Sequence, residues 1–415
     1  MNKLFYALII TFLLTSSLSC FSQYSTDSPY SYYGIGEFEL SDHSRTSGMG
    51  GVGIGMKSDG YINFSNPASY SSIDSLNVIF DFALSGSKSR FESASNKYSV
   101  TNGNIKKIAV GLRLYPRWAL SLGLMPYTNV GYEAETEKGI EGTTDFFNIT
   151  NKGEGGFSKV FIGNSFKINH KISAGINSNF LIGYIEKSET YTYQWASGYW
   201  QQKTKYKPKT AVCFDFGLQY ADSLNSKWLY TLGFTGGVDT KLKLRKYIAY
   251  DSDTSTYTTD EFQSTSNFWI PAYGGFGFSL SSSRWLFAAD YRIQFWDNVS
   301  NKNDLPWLTN SHHAAVGAQY IPRKIIGRSL FDRMSYQVGA HFDRSYLRIN
   351  SENFDIYGVT FGLVVPFRNQ MSNLGISVDV GKKGRLNNGM FKENYIQVNL
   401  LLNMSDIWFL KRKFD

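Results

Sequence analysis

The chain is poor in cysteine, histidine and proline. Two cysteines among 415 residues, Cys20 and Cys213, cannot build a disulfide framework. Five scattered histidines leave little for a metal cluster. Nine prolines and 18 % charged residues beside 16 % aromatics exclude a disordered chain. Long hydrophobic runs are missing as well, since beyond the first twenty residues none reaches 18 consecutive apolar positions and a membrane-spanning helix is excluded. A transmembrane strand escapes that test, because it needs only ~9 to 11 residues and alternates lipid-facing with lumen-facing side chains. The 38 glycines, 31 phenylalanines and 28 tyrosines that are present point to an all-β chain.

Lys3 precedes an apolar run at 4–14 and a tract of mostly small residues at 15–20. That pattern reads as a secretory signal peptide over 1–22, cut after Ser22 with small residues at Cys20 and Ser22. Eleven residues are too few for a permanent helical anchor. A lipoprotein cut before Cys20 would want a larger apolar residue where Ser17 stands. Cys213 is then the exported protein's one thiol, too far along its strand from any cation to be activated, and reads as structural.

Alternation begins at Asn77. At 285–296, Trp285, Phe287, Ala289, Tyr291, Ile293 and Phe295 form one apolar face, opposite a face that carries Asp290 and Arg292. At 357–367 the outer face holds Tyr357, Val359, Phe361 and Leu363, and the other holds Gly358, Thr360 and Gly362. Fourteen such runs are predicted, near 77–87, 106–115, 118–132, 156–167, 170–186, 205–221, 227–248, 262–281, 284–297, 311–321, 334–344, 355–367, 373–382 and 394–403. An even number is what a bacterial single-chain barrel requires. Links from even to odd strands are mostly short (116–117, 168–169, 282–283), and those from odd to even are longer (133–155, 187–204, 249–261, 298–310). Short turns lie in the periplasm in such barrels, which places both termini there. The basic link 322–333 departs from that rule and is expected to carry a short helix. A soluble β-sandwich would alternate too, but its turns would not sort by length. Aromatics near strand ends, such as Tyr115, Trp118 and Tyr320, fit interfacial girdles.

Residues 23–76 lack strand alternation and hold Gly48, Gly50, Gly51, Gly53 and Gly55, followed by Asn66-Pro67-Ala68. Gly48 to Gly53 match a dinucleotide-binding fingerprint formally, yet no hydrophobic strand precedes them and further glycines rule out a following helix. Close backbone packing in a confined lumen is the better physical reading. A glycine-rich stretch ending in Asn-Pro-Ala just before the first strand resembles the N-terminal hatch of the FadL-type outer-membrane transporter family, and hatch followed by fourteen strands is that family's plan. The resemblance implies import of long-chain fatty acids or other hydrophobic compounds, with lateral release near a kinked third strand, where this chain has Pro126. Relatives such as PorV of the type IX secretion system bind partners instead.

The expected organisation is a signal peptide at 1–22, a hatch at 23–76, a transmembrane antiparallel barrel at 77–403 and a basic, aromatic tail at 404–415. Gly48, Gly50, Gly51, Gly53, Gly55, Asn66, Pro67 and Ala68 are the gating candidates, and Pro126 is the candidate kink. Arg292 and Arg113 are candidates for an anionic head group, with a lumenal salt bridge as the competing role. Adjacent His312 and His313 point to opposite faces and cannot share a site. No serine, histidine and acid constellation is recognisable, so neither catalysis nor a cofactor or metal is expected. The basic balance, a net charge of +8, is distributed and argues against nucleic acid. The expected partners are outer-membrane lipid, hydrophobic small-molecule cargo and an outer-membrane or periplasmic protein that Lys411-Arg412-Lys413 would meet. Diffusive uptake of hydrophobic compounds is the leading expectation; a non-transporting subunit of an assembly or secretion complex is the alternative.

Overall fold

The computed structural model describes residues 28–408 except 40–43, 59, 76, 94–95, 194–197, 254–255, 323–329, 351, 368–370 and 387–389. The expected signal peptide and Lys411-Arg412-Lys413 lie outside the described residues.

Nineteen strand segments join into one sheet. One is a two-residue strand, Glu37–Phe38, on the inner side, and four wall strands are each split once, so the wall has fourteen antiparallel strands. These are β1 (Asn77–Glu92), β2 (Lys97–Tyr115), β3 (Trp118–Pro126 and Thr128–Gly139), β4 (Phe146–Lys167), β5 (Ile172–Tyr193), β6 (Tyr199–Thr210 and Val212–Ser223) and β7 (Leu229–Gly237 and Thr240–Ser252). The second half comprises β8 (Thr256–Ile270 and Tyr273–Ser281), β9 (Trp285–Gln294), β10 (Ser311–Tyr320), β11 (Ser335–Ile349), β12 (Glu352–Pro366), β13 (Asn373–Lys383) and β14 (Lys392–Ile407). β14 pairs with β1 from Lys392 opposite Glu92 to Ile407 opposite Asn77, which closes the barrel. All fourteen predicted strands are present. Residues 404–407, expected as the start of the tail, belong to β14.

The faces follow the alternation. Trp285, Phe287 and Tyr291 are exposed on the outside of β9, whereas Ala288 and Asp290 are buried inside. At the short-turn end, outward Tyr115, Trp118 and Phe166 stack in series with centroids 6.0 and 6.1 Å apart, and Trp285 packs on Phe287 and Tyr320. This is the girdle expected where headgroups meet hydrocarbon.

Three expected long loops are instead strand. β3 and β4 continue until only 140–145 links them, β5 reaches Tyr193, and β7 reaches Ser252. Residues 133–139 are exposed on both faces, so burial imposes no alternation and the pairing leaves no apolar trace. The one-turn helix Leu330–Arg333 ends the basic link, as expected.

Candidate functional site

The described residues between 28 and 73 run through the lumen, where Tyr30, Met49, Val52, Ile54, Tyr61, Ile62, Tyr70 and Ile73 are buried against the inner faces of the strands. Their order follows from wall notches and wall polar groups. Met49, fully buried, lies over Gly317 of β10 and Gly339 of β11, where a side chain on Gly339 would begin 2.7 Å from the Met49 Cα. Gly50 adopts φ +75°, closing a short turn that aims its N–H at Thr360 Oγ1, 2.7 Å away. Gly51 follows in the same conformation, and Gly48 lies against Gly362.

Asp290, the inward charge of β9, accepts from the N–H groups of Gly53 (2.6 Å) and Ile54 (2.8 Å), and Ser279 Oγ donates to the Gly55 carbonyl (2.7 Å). Asn66 caps the turn Pro67–Ser72: its Oδ1 accepts from Ala68 N–H (3.1 Å), and its Nδ2 donates to the Ile54 carbonyl (2.9 Å). Pro67 fills the first position of that turn, where a missing N–H costs nothing. The Ala68 carbonyl accepts from Ser165 Oγ of β4 at 2.9 Å. Opposite, Asp81 and Lys107 hold both backbone groups of Ile62: Asp81 Oδ2 accepts its N–H (2.8 Å) and Lys107 Nζ donates to its carbonyl (3.0 Å). The eight candidate gating residues therefore form one belt across the lumen, tied to walls on several sides.

Asp81, Lys107, Asp290 and Thr360 were not singled out as anchors. Their signal was an inward polar residue in an otherwise small or apolar inner face; the partner backbone could not be read. Asp290→Ala should cost about 1.5–3 kcal/mol, because two charge-assisted bonds vanish and two buried N–H groups lose their acceptor. A lowered urea midpoint, together with new protease cleavage near Gly53, checks this.

Among the described residues, pairing in the wall is interrupted between β2 and β3. β2 and β3 are joined from Tyr115 opposite Trp118 up to Ile108 opposite Leu124, next to Pro126. Beyond it, β3 pairs with β4 and, on its other side, with the inner strand Glu37–Phe38, whose register is Glu37 to Asn129 and Phe38 to Thr128. Proline cannot extend the ladder, and β3 is split between Pro126 and Thr128. Glu39 and Lys106 form an ion pair of 2.5 Å between the inner strand's end and β2.

At the end away from the girdle, an aromatic cluster lies inside the barrel as a cap. Tyr30 stacks on Phe354 (4.3 Å), Phe38 packs edge-on against Tyr127, Trp296 and Tyr346, and the helix Asp297–Asn303 (α1) seats Val299 fully buried in the same cluster. Cys213 packs at its margin. Between cap and belt is a cavity of about 90 Å³ whose lining includes Glu39, Lys159, Asp215 and Arg292. Lys159 sits 4.0 Å over the Phe64 ring, and Asp215 accepts from Asn179 Nδ2 (2.7 Å) and Tyr273 OH (2.8 Å). Arg113 is at the opposite mouth, donating to the Ser71 carbonyl. The two arginines line different cavities and cannot grip one head group.

His313 and His341 both bond to Asp343, and His341 Nε2 reaches Asp379 (3.1 Å), so these groups brace β10, β11 and β13 inside the barrel. His312 points outward to Tyr291 OH (2.7 Å), opposite its neighbour as alternation demands.

Solved structures share this architecture at low identity. A Pseudomonas aeruginosa FadL homologue matches with a TM-score of 0.60 at 13 % identity over 89 % of this chain and 99 % of its own. The Pseudomonas putida toluene transporter TodX gives 0.55 at 14 % over 89 % and 99 %, and the CymD monoaromatic hydrocarbon channel 0.55 at 14 % over 88 % and 97 %. At such identities the likeness shows the FadL-type fold and does not single out PorV-like relatives. No curated protein matches the chain. The family model BamG matches residues 1–415, the full length of the sequence. A fourteen-stranded barrel with a lumen filled by its own N-terminal segment is thus the form taken by this chain, which belongs to the BamG family.

Proposed function

We propose that the chain is a sealed outer-membrane barrel acting as a non-transporting subunit of an outer-membrane protein assembly, with residues 28–73 as a fixed plug. The carrying observation is the lumen itself. Belt and cap leave an interior cavity of about 90 Å³, too small for an apolar chain, where ligand sites usually offer ~300–1,000 Å³. The plug's backbone is anchored by charged and polar wall groups, an arrangement suited to rigidity rather than displacement. Membership in the BamG family, rather than sequence kinship with the solved channels, agrees with this reading.

A second reading, diffusive uptake of hydrophobic small molecules, is favoured by the unpaired stretch beside Pro126, which offers a sideways route through the wall. The fold it shares with named hydrocarbon channels supports it too.

Mild-detergent extraction of the tagged protein from outer membranes, with mass spectrometry of proteins and lipids, separates the two. A stoichiometric protein partner and no enriched fatty acid or hydrocarbon is the expected result. A lone barrel carrying apolar small molecules would reverse the assignment.

A further inference from the structure

A cavity of about 510 Å³ opens at the short-turn end of the barrel and is floored by the plug. Arg45, Lys57, Arg113, Lys167, Lys171 and Arg284 line it, and Asp74 is the one carboxylate among its lining residues. The cations come from both parts of the molecule: Arg45 and Lys57 from the plug, Arg113 from β2, Lys167 from β4, and Lys171 and Arg284 from turns of the wall. Lys171 pairs with Asp222 (2.6 Å), and Arg113 donates to Ser71. Arg45, Lys167 and Arg284 make no ion pair among the described residues. Converging like charges at a concave, protein-walled mouth focus a positive potential, which a bound anion relieves.

We propose that this cavity is the docking site for an acidic peptide segment of a periplasmic partner, with Arg45, Lys167 and Arg284 receiving its carboxylates. The proposal rests on the subunit reading above and names the chemistry of the partner. A peptide fits better than lipid, because the cavity lies on the inner side of the wall, floored by plug residues Thr46, Met56 and Ser71, whereas headgroups border its outer face. Its volume falls within the ~300–1,000 Å³ typical of ligand sites and far exceeds what a free phosphate would fill.

The test uses the full-length protein in detergent and fluorescein-labelled hexaglutamate as probe, read by anisotropy. Hexaglutamate should bind while hexaserine does not, and affinity should fall as salt rises, since exposed charges are screened over ~10 Å at 0.1 M. The double variant Lys167→Glu/Arg284→Glu should weaken binding by about tenfold or more. Both positions lie at turn ends, and heat-modifiable gel migration verifies that the variant folds. Unchanged affinity in the folded variant overturns the site, and displacement of hexaglutamate by millimolar phosphate reduces it to a small-anion site. Co-extraction from outer membranes separates the two readings. If variant and wild type retain the same stoichiometric partner, the docking site falls and the subunit reading stands. If wild type retains none while hexaglutamate binding is charge-dependent, the subunit reading falls and the acidic-peptide site stands.

Discussion

Deleting residues 41–60 is expected to turn a closed barrel into a leaky one, raising solute flux into liposomes by roughly tenfold or more. About eight strands make a barrel that wall side chains alone can fill, and sixteen to eighteen leave an aqueous channel; fourteen lies near the second case. Inward positions here are too small to compensate, because Gly317, Gly339, Gly358 and Gly362 follow one another around β10 to β12. The deletion removes Met49, Val52, Ile54 and Met56 from the axis and leaves Asp290, Ser279 and Thr360 facing water they can bond to, so the wall stays paired. Swelling assays or single-channel recordings read the result. Unchanged flux would mean that the cap around Trp296, Tyr346 and Phe354 seals the lumen alone, and the plug role would be withdrawn.

Lys107→Met should be the most damaging single substitution in the wall, costing about 3–5 kcal/mol. Lys107 and Asp81 have no exposed side-chain surface and lie 3.5 Å apart. Removing the ammonium leaves a buried carboxylate that keeps the Ile62 N–H and Asn403 as donors but loses its counter-charge, while the Ile62 carbonyl loses a donor. The double variant Asp81→Leu/Lys107→Met removes the orphaned charge and should recover much of the loss; the Ile62 N–H, now unsatisfied, keeps the recovery incomplete by ~1–3 kcal/mol. Urea unfolding followed by tryptophan fluorescence measures both. A double variant no more stable than Lys107→Met would show that the cost lies in packing rather than in the lone charge.

Legibility tracked the environment of each residue. The stretches 285–294 and 352–366 could be placed because one face meets hydrocarbon and the other the lumen, and that contrast is written into every second side chain. Residues 133–139 and 146–155 pair just as regularly, but project where the environment is alike on both sides, so they read as loop. The glycines of the belt were legible as a cluster, while the notches that receive them, Gly317 and Gly339, are ordinary inward residues until Met49 is set upon them. Arg113 and Arg292 share a residue type and an inward face, and only the three-dimensional arrangement puts them at opposite ends of the lumen.

The β-barrel and the number of its strands were written in the sequence, because binary patterning is a property of short stretches. The tertiary structure alone decided how full the lumen is and where the positive charge gathers. Both depend on residues as distant as Ile62 and Asn403 meeting at Asp81, or Arg45 and Arg284 meeting at one mouth, and no local pattern encodes such meetings.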